Sequence, residues 1–394
     1  MKILIVGVGA QGSVIATEIV KSPEVSEVRL SDVKLKKAER LAERLKSEKV
    51  STHRVDANKV DSIMRAAKEV NIIVNTTTWI PKFNLNIMEA ALKTGAHYQD
   101  LASYPAQQLE LSDRWKEAEL TALIDTGVSP GLTNVLAAQA ADKLDRVEEI
   151  RIRLWAAVKS EEPVSLWSPE TAWRDMAAKP IVYENGEYEE VPPFSGEEVY
   201  TFPDSIGPQT VYMHSHEEPE TLPSFIGKGV RYVDFKMGGP DFPLAKAIVE
   251  FGLLSDKPIN VKGVKVAPRD FFLALVPPTP SMEMMERMVR AGMISMRGCV
   301  AVNVKGQKRD ARRRHTLYSH FPDVQELNER MPGANPVAYV TSVPASTFTK
   351  MLAKEEIITR GVIPPEGLEP KVRQAFLAEL AEKGIIVHEK VERR

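Results

Sequence analysis

The sequence predicts an α/β chain: a doubly wound parallel sheet, then an α+β domain with a mostly antiparallel sheet. Three observations carry this. The apolar run 3–6 has no polar face and stops at the spacing G-x-G-x-x-G (Gly7, Gly9, Gly12), after which residues 13–20 turn helical. Strand and helix patterns then alternate over about 130 residues, the signature of a parallel sheet. Past residue 150 the chain becomes rich in proline, glutamate and aromatic residues, with few long helical patterns.

Residues 25–30 form the second strand, ending at Asp32. Residues 34–46 are a charged helix with Ala38, Leu41, Ala42 and Leu45 on one face. Strands follow at 50–55, 71–75, 97–101 and 121–125, separated by helices at 60–68, 84–94 and 109–119; Gly95 is a stop signal. In the second half, Asn185-Gly186 marks a hairpin turn between 181–183 and 188–191. Residues 150–158 and 230–237 read as strands, 242–251 and 282–293 as helices. Residues 299–304 and 314–318 read as strands around a turn at Lys305-Gly306. Helices at 345–352, 355–360 and 370–383 close the chain.

The 394 residues carry a net charge of −2, which gives no global attraction to nucleic acid or to an anionic membrane. The basic run 305–314 reads as a solvated hairpin tip. No apolar run approaches the ~20 residues that span a bilayer. The first residues enter a strand directly, so no signal peptide is expected. Cys299 is the single cysteine, which suits a reducing compartment and a cytoplasmic location; it reads as buried filler.

Each part of the glycine loop has a task. Gly7 permits a tight turn, Gly9 admits a pyrophosphate close to the backbone, and Gly12 allows close helix–strand packing. Ala10 and Gln11 complete this Rossmann-type loop, whose helix N-terminus attracts phosphate. Asp32, 20 positions past Gly12, suits the ribose hydroxyls and favours NAD over NADP. Lys34, Lys36 and Lys37 follow on a solvated face, and Asp56 flanks adenine or serves a turn. Ligands of such sheets bind beyond the carboxyl ends of strands. That rule selects residues 76–79 (with Thr76 and Thr77 as cofactor contacts), 100–104 and 127–134.

Oxidation of an amine needs a neutral nitrogen and then water attack on an iminium, so an acid/base group must stand nearby. Asp100 and Tyr104 are candidates, with a purely orienting role for Asp100 as the alternative. Gly127 and Gly131 shape the cofactor side, and Thr133 and Asn134 the substrate side. In the second half, His214-Ser215-His216-Glu217-Glu218 is the densest ionisable cluster. If it is a strand, His214 and His216 face the same way and offer acid/base or substrate contacts; the ligand set for zinc is incomplete, so no metal is expected. Trp167, Arg174 and Arg231 are candidates for a substrate pocket, arginine being suited to carboxylates.

Several stretches together resemble the saccharopine dehydrogenase-like family: 7–12, 97–104, 127–134, 166–170, 238–243 and 361–366. The resemblance implies a dinucleotide-binding domain at 1–130, a substrate and dimerisation domain at 131–335, and C-terminal helices at 336–394 packing back on the first domain. It implies a homodimer and hydride transfer, through an imine, between a nicotinamide and a carbon bearing nitrogen in a small amino-acid substrate. Lysine and saccharopine-like secondary amines come first. Reductive condensation of an amine with an aldehyde or keto acid, as in carboxynorspermidine synthases, is the alternative within enzymes. An NAD-binding scaffold without turnover is the alternative outside them.

Overall fold

The computed structural model describes residues 1–78 and 80–393; Trp79, the last residue of the strand-end stretch 76–79, and Arg394 lie outside them. The first sheet has seven parallel strands in the order Gly361–Ile363, Thr121–Leu123, His97–Asp100, Ile72–Asn75, Lys2–Val6, Glu27–Asp32, Val50–Arg54. Its first strand shows why an unbroken apolar run suits such a sheet: Ile3 and Ile5 enter the core on one face, Leu4 and Val6 the core on the other. Strand order reverses between Lys2–Val6 and Ile72–Asn75, which opens a crevice at their carboxyl ends.

The seventh strand comes from the tail, which the sequence patterns read as helices alone. Gly361–Ile363 pairs with Thr121–Leu123, and Val387–Arg393 joins the second sheet beside Ala311–His320. The tail helix Pro336–Ala353 packs on the first helix, Ala10–Ile19. Residues 336–394 therefore add to both sheets. The stretch 355–360 is not a helix; it starts at Glu355 with φ +58 and leads into the strand.

The second sheet runs Glu198–Phe202, Gly207–Met213, Tyr232–Gly238, Arg146–Ser160, Ile294–Lys308, Ala311–His320, Val387–Arg393. Only Tyr232–Gly238 with Arg146–Ser160 is parallel among its described pairs. Asn185 and Gly186 turn with φ of 50° and 101°, as their dipeptide demands. Lys305-Gly306 is not a turn. Both lie inside Ile294–Lys308, and the hairpin turns at Arg309 and Asp310. A Cβ on Gly306 would stand 2.0 Å from the Arg146 carbonyl oxygen, at a register shift between Lys305 and Gly306. The glycine marks a bulge and close strand approach, a signal that a turn imitates in sequence.

Helix Leu132–Ala141 joins the layers and is almost wholly buried. It starts at Gly131, whose φ of +130 and whose closeness to the Gly127 carbonyl (a Cβ would sit 2.2 Å away) exclude any side chain. Asn134 accepts a bond from the Gly131 N–H (2.8 Å) and donates to Thr221 (3.3 Å) and to the carboxyl of Glu366 (3.0 Å). Three distant segments thus meet at one amide. Burial pushes the Glu366 carboxyl up to about 7, against the pull of bonds from Thr221, its own backbone and Asn134.

A carboxyl whose folded pKa exceeds its unfolded value keeps its proton only in the folded state. The stability it contributes is fully present below pH 4.5 and is lost as pH rises to about 7. The loss is on the order of 3 kcal/mol for Glu366 alone. Urea unfolding at pH 5 and pH 8 checks this: Glu366→Gln narrows the gap between the two midpoints, and an unchanged gap would show that Glu366 does not carry it.

Candidate active site

A cleft of about 1990 Å³ lies between the two sheets. Its first half is built by the glycine loop. A Cβ on Gly12 would lie 2.1 Å from the Gly7 carbonyl oxygen and 2.7 Å from Thr76 Oγ1, whereas nothing stands within 4 Å of a Cβ on Gly9. Gly12 is thus a packing glycine, and the space over Gly9 is open to a phosphate before the N-terminus of Ala10–Ile19. Thr76 donates to the Gly7 carbonyl, and Thr77 donates through both its N–H (3.0 Å) and its hydroxyl (2.7 Å) to Asn75. Ala10, Gln11, Asp32, Asp56, Thr76 and Thr77 all line this half. Asp32 is oriented by N–H bonds from Val8 (3.3 Å) and Lys34 (2.9 Å). Lys37, Arg40 and Arg44, from helix Leu35–Leu45, line the same end. These features fit an adenine dinucleotide.

In the second half, Gly127, Gly131, Thr133 and Asn134 lie beneath the surface, which is formed there by Val128, Ser129 and Pro130. Asp100 also lies beneath it. It accepts bonds from Gln108 (2.8 Å), the Tyr98 hydroxyl (2.9 Å), the Asp125 N–H (2.9 Å) and Asn84 (3.2 Å). Burial pushes its carboxyl up to about 6 despite these bonds. Its geometry is that of a clamp on the strand-end loops. Trp167 lines the cleft; Arg174 and Arg231 do not. Arg174 sits beside Tyr104 and pairs with Glu170 (3.0 Å). Arg231 is exposed in the segment leading to Tyr232–Gly238. Tyr104 lines a separate, smaller chamber.

His214 to Glu217 form a loop after Gly207–Met213, not strand, and Glu218 opens the helix Glu218–Ile226; yet both imidazoles reach the cleft, with centroids 5.8 Å apart. His216 stacks on Phe235 (3.9 Å) and shares a hydrogen bond with Glu218 Oε2 (3.0 Å). The other Glu218 oxygen accepts from Ser129 (2.6 Å) and Thr133 (2.7 Å). Burial alone would raise the Glu218 carboxyl; His216, Ser129 and Thr133 outweigh it and hold Glu218 ionised. Burial, with His216 beside it, pushes His214 down to about 3, so that imidazole is neutral.

Glu217 lines the cleft and is 8% exposed; its own backbone N–H bonds its carboxyl, and His216 Nδ1 stands 3.7 Å away. Burial, then repulsion from Asp125, Glu218 and Asp175, holds its carboxyl well above the usual range. Asp125, fully buried at the end of the sixth strand beside Ser103, is raised by burial and by Asp100. Asp175 lines the cleft, and burial lifts it to about 7. His216, Glu217 and Glu218 bring potential ligand atoms within 4.8 Å of one another, but the oxygens of Glu218 are already engaged by Ser129, Thr133 and His216.

Glu217, Asp125 and Asp175 escaped the sequence reading as individual residues. Asp125 was accessible to the strand-end rule; Glu217 lay inside the ionisable cluster but was outranked by its histidines. Asp175 had no local signal, because only packing turns helix Pro169–Ala177 towards the cleft.

Comparison with known proteins agrees with this geometry. Residues 3–123 match the model of the saccharopine dehydrogenase NADP binding domain, and residues 127–385 that of the saccharopine dehydrogenase C-terminal domain. The carboxyaminopropylagmatine dehydrogenase of Synechocystis is 25% identical over 405 residues, covering 99% of this chain and 98% of that protein. The carboxynorspermidine synthase of Vibrio cholerae is 26% identical over 402 residues, covering 94% and 93%. The saccharopine dehydrogenase (L-Glu forming) of Saccharomyces cerevisiae superposes with a TM-score of 0.73 at 16% identity, covering 99% of both chains, and shares the fold. With both of its domains matched in order, the chain belongs to the saccharopine dehydrogenase family and is an NAD(P)-dependent dehydrogenase.

Proposed function

We propose that the protein joins a primary amine to an aldehyde or keto acid by reductive condensation. One observation carries the choice: the substrate half of the cleft is lined by the carboxyls Asp175, Glu217 and Asp241 and by the two imidazoles, whereas the lining Lys and Arg residues are all on helix Leu35–Leu45 at the other end. Such a wall offers an amine hydrogen-bond acceptors and offers a carboxylate no guanidinium among the described residues. The names of the two relatives, a carboxyaminopropylagmatine dehydrogenase and a carboxynorspermidine synthase, support the same chemistry.

The amine nitrogen adds to the carbonyl carbon, and the resulting carbinolamine loses water to leave an iminium. The glycine loop, Asp32 and Thr76 would hold a reduced nicotinamide dinucleotide, which would supply the hydride that converts this to a secondary amine. Glu217 starts protonated and gives its proton to the departing hydroxyl; as a carboxylate it then faces the iminium. Neutral His214 adds no competing charge. Asp100 and Tyr104 act as positioning groups around this wall. Glu217→Gln is expected to lower kcat by about a hundredfold or more with dinucleotide affinity unchanged. Reduced-nicotinamide absorbance and a fluorescence titration read the two quantities; full turnover in the variant would remove Glu217 from the mechanism.

At the cofactor end, Asp32 supports NAD, while Lys37 and Arg40 give a 2′-phosphate two cations. We infer that both dinucleotides bind. Lys37→Ala with Arg40→Ala is expected to weaken NADPH at least tenfold more than NADH, and Asp32→Ala to do the reverse; parallel titrations decide.

We also infer a homodimer in the cytoplasm, where the lone, buried Cys299 stays reduced. The two-stranded hairpin Ile259–Val261 and Val264–Val266 leaves Ile259, Val261 and Val264 about half exposed or more, with Phe251 and Phe271 also bare nearby in sequence. A lone hairpin is marginal in water and needs a partner surface. Val261→Glu with Val264→Glu is expected to halve the mass in light scattering; an unchanged dimer would place the interface elsewhere.

A further inference from the structure

Beyond His214 the cleft continues into an arm walled by three helices, Pro169–Ala177, Phe242–Glu250 and Pro268–Leu275. The Phe242 ring stands 6.0 Å from the His214 ring and marks where the arm begins. Phe242 and Ala245 form its buried side, with Trp173 and Met176 packed against the same cluster. Ile248 and Phe272 also line it, and Phe272 meets Trp173 edge to face at 4.7 Å. Leu244 and Leu275, which line it too, are 64% and 69% exposed, so the arm opens there to solvent. No Lys or Arg lines the arm among the described residues.

The apolar groups of this arm are short of partners. Neither Pro169–Ala177 nor Pro268–Leu275 buries a residue, although each turns large apolar side chains to the cleft. The two segments are tied to one another. Beside the Trp173–Phe272 contact, the Ser165 hydroxyl donates to the Pro277 carbonyl (2.7 Å) and the Thr279 hydroxyl to the Trp167 carbonyl (2.8 Å). The cap is therefore fixed in place while its apolar face stays wet, and a ligand that displaces that water gains free energy.

We propose that this arm binds the apolar side chain of the carbonyl partner. The proposal rests on the reading of the protein as an amine-condensing enzyme and deepens it by naming the class of the second substrate: an aldehyde or keto acid carrying an uncharged alkyl or aryl group. The amine lies against Asp175 and Glu217, so the arm is left to the other reactant. An acidic side chain there meets no cation and loses its water uncompensated. Each methylene, by contrast, leaves water for Phe242, Ile248 and Phe272, which tightens binding about fourfold.

Calorimetric titration of straight-chain keto acids of increasing length into the NADPH-loaded protein, without amine, tests this. Affinity is expected to rise about fourfold per methylene until the chain reaches Leu244 and Leu275, and to fall when a carboxylate ends the chain. Phe272→Asp and Ile248→Asp, on separate helices, should each abolish the rise, with unchanged NADPH affinity confirming an intact fold. Ala274→Asp, exposed on the same helix as Phe272 and outside the cleft, should leave the rise in place. Affinity independent of length in the native protein overturns the proposal and leaves the apolar lining to a second copy of the chain. A rise that survives in either variant of the lining also overturns it. Turnover is scored apart, with a panel of primary amines. If affinity rises with length but no keto acid supports nicotinamide oxidation, the condensation reading fails and the arm stands. If turnover occurs with a carbonyl KM indifferent to chain length, the arm fails and the reaction stands.

Discussion

The site depends on how one buried carboxylate, Glu218, is held. One of its oxygens takes hydroxyls from Ser129 and Thr133, in the loop and helix that leave the first sheet; the other meets His216, in the loop that leaves the second. Burying a charge is costly unless hydrogen bonds replace its water, and three donors do so here. Because those donors come from both halves of the chain, the bond that stabilises Glu218 also sets the relative position of the sheets at the cleft.

Glu217 inherits its place from that anchor. Its neighbour in sequence is satisfied and fixed, so the backbone presents Glu217 to the cleft, where its carboxyl meets its own backbone N–H and His216 at 3.7 Å. Behind it stand Asp125 and Asp100, both buried and both raised in pKa. Like charges this close cannot all ionise in a poorly solvated space. The arrangement therefore keeps protons on some of these carboxyls near neutral pH, the condition an acid catalyst needs. The same crowding makes the fold sensitive to rising pH, because carboxyls raised by burial favour the folded state only while protonated.

The first half of the chain was legible because its physics is local. A run such as Ile3–Val6, buried on both faces, and a glycine loop before a helix each carry their meaning within a dozen residues. The parallel, doubly wound sheet follows from the alternation of strand and helix. Gly306 shows where local reading misleads: a glycine beside a lysine looks like a turn, but here it lets two strands approach. Val387–Arg393 is a further case. It is an edge strand with only two apolar residues, Val387 and Val391, and no alternating pattern, and its partner, Ala311–His320, lies about 70 residues earlier.

The sequence by itself determined the dinucleotide loop, the doubly wound sheet, the family resemblance and the ionisable stretch at 214–218. Each rests on spacing along the chain. Only the tertiary structure decided which acids face the cleft and which lie beneath it. Asp100 and Glu217 are both carboxyls in marked stretches, yet four donors enclose the first, while the second is left facing the substrate space. That distinction rests on partners distant in sequence, and burial sets the proton affinity that makes it chemically useful.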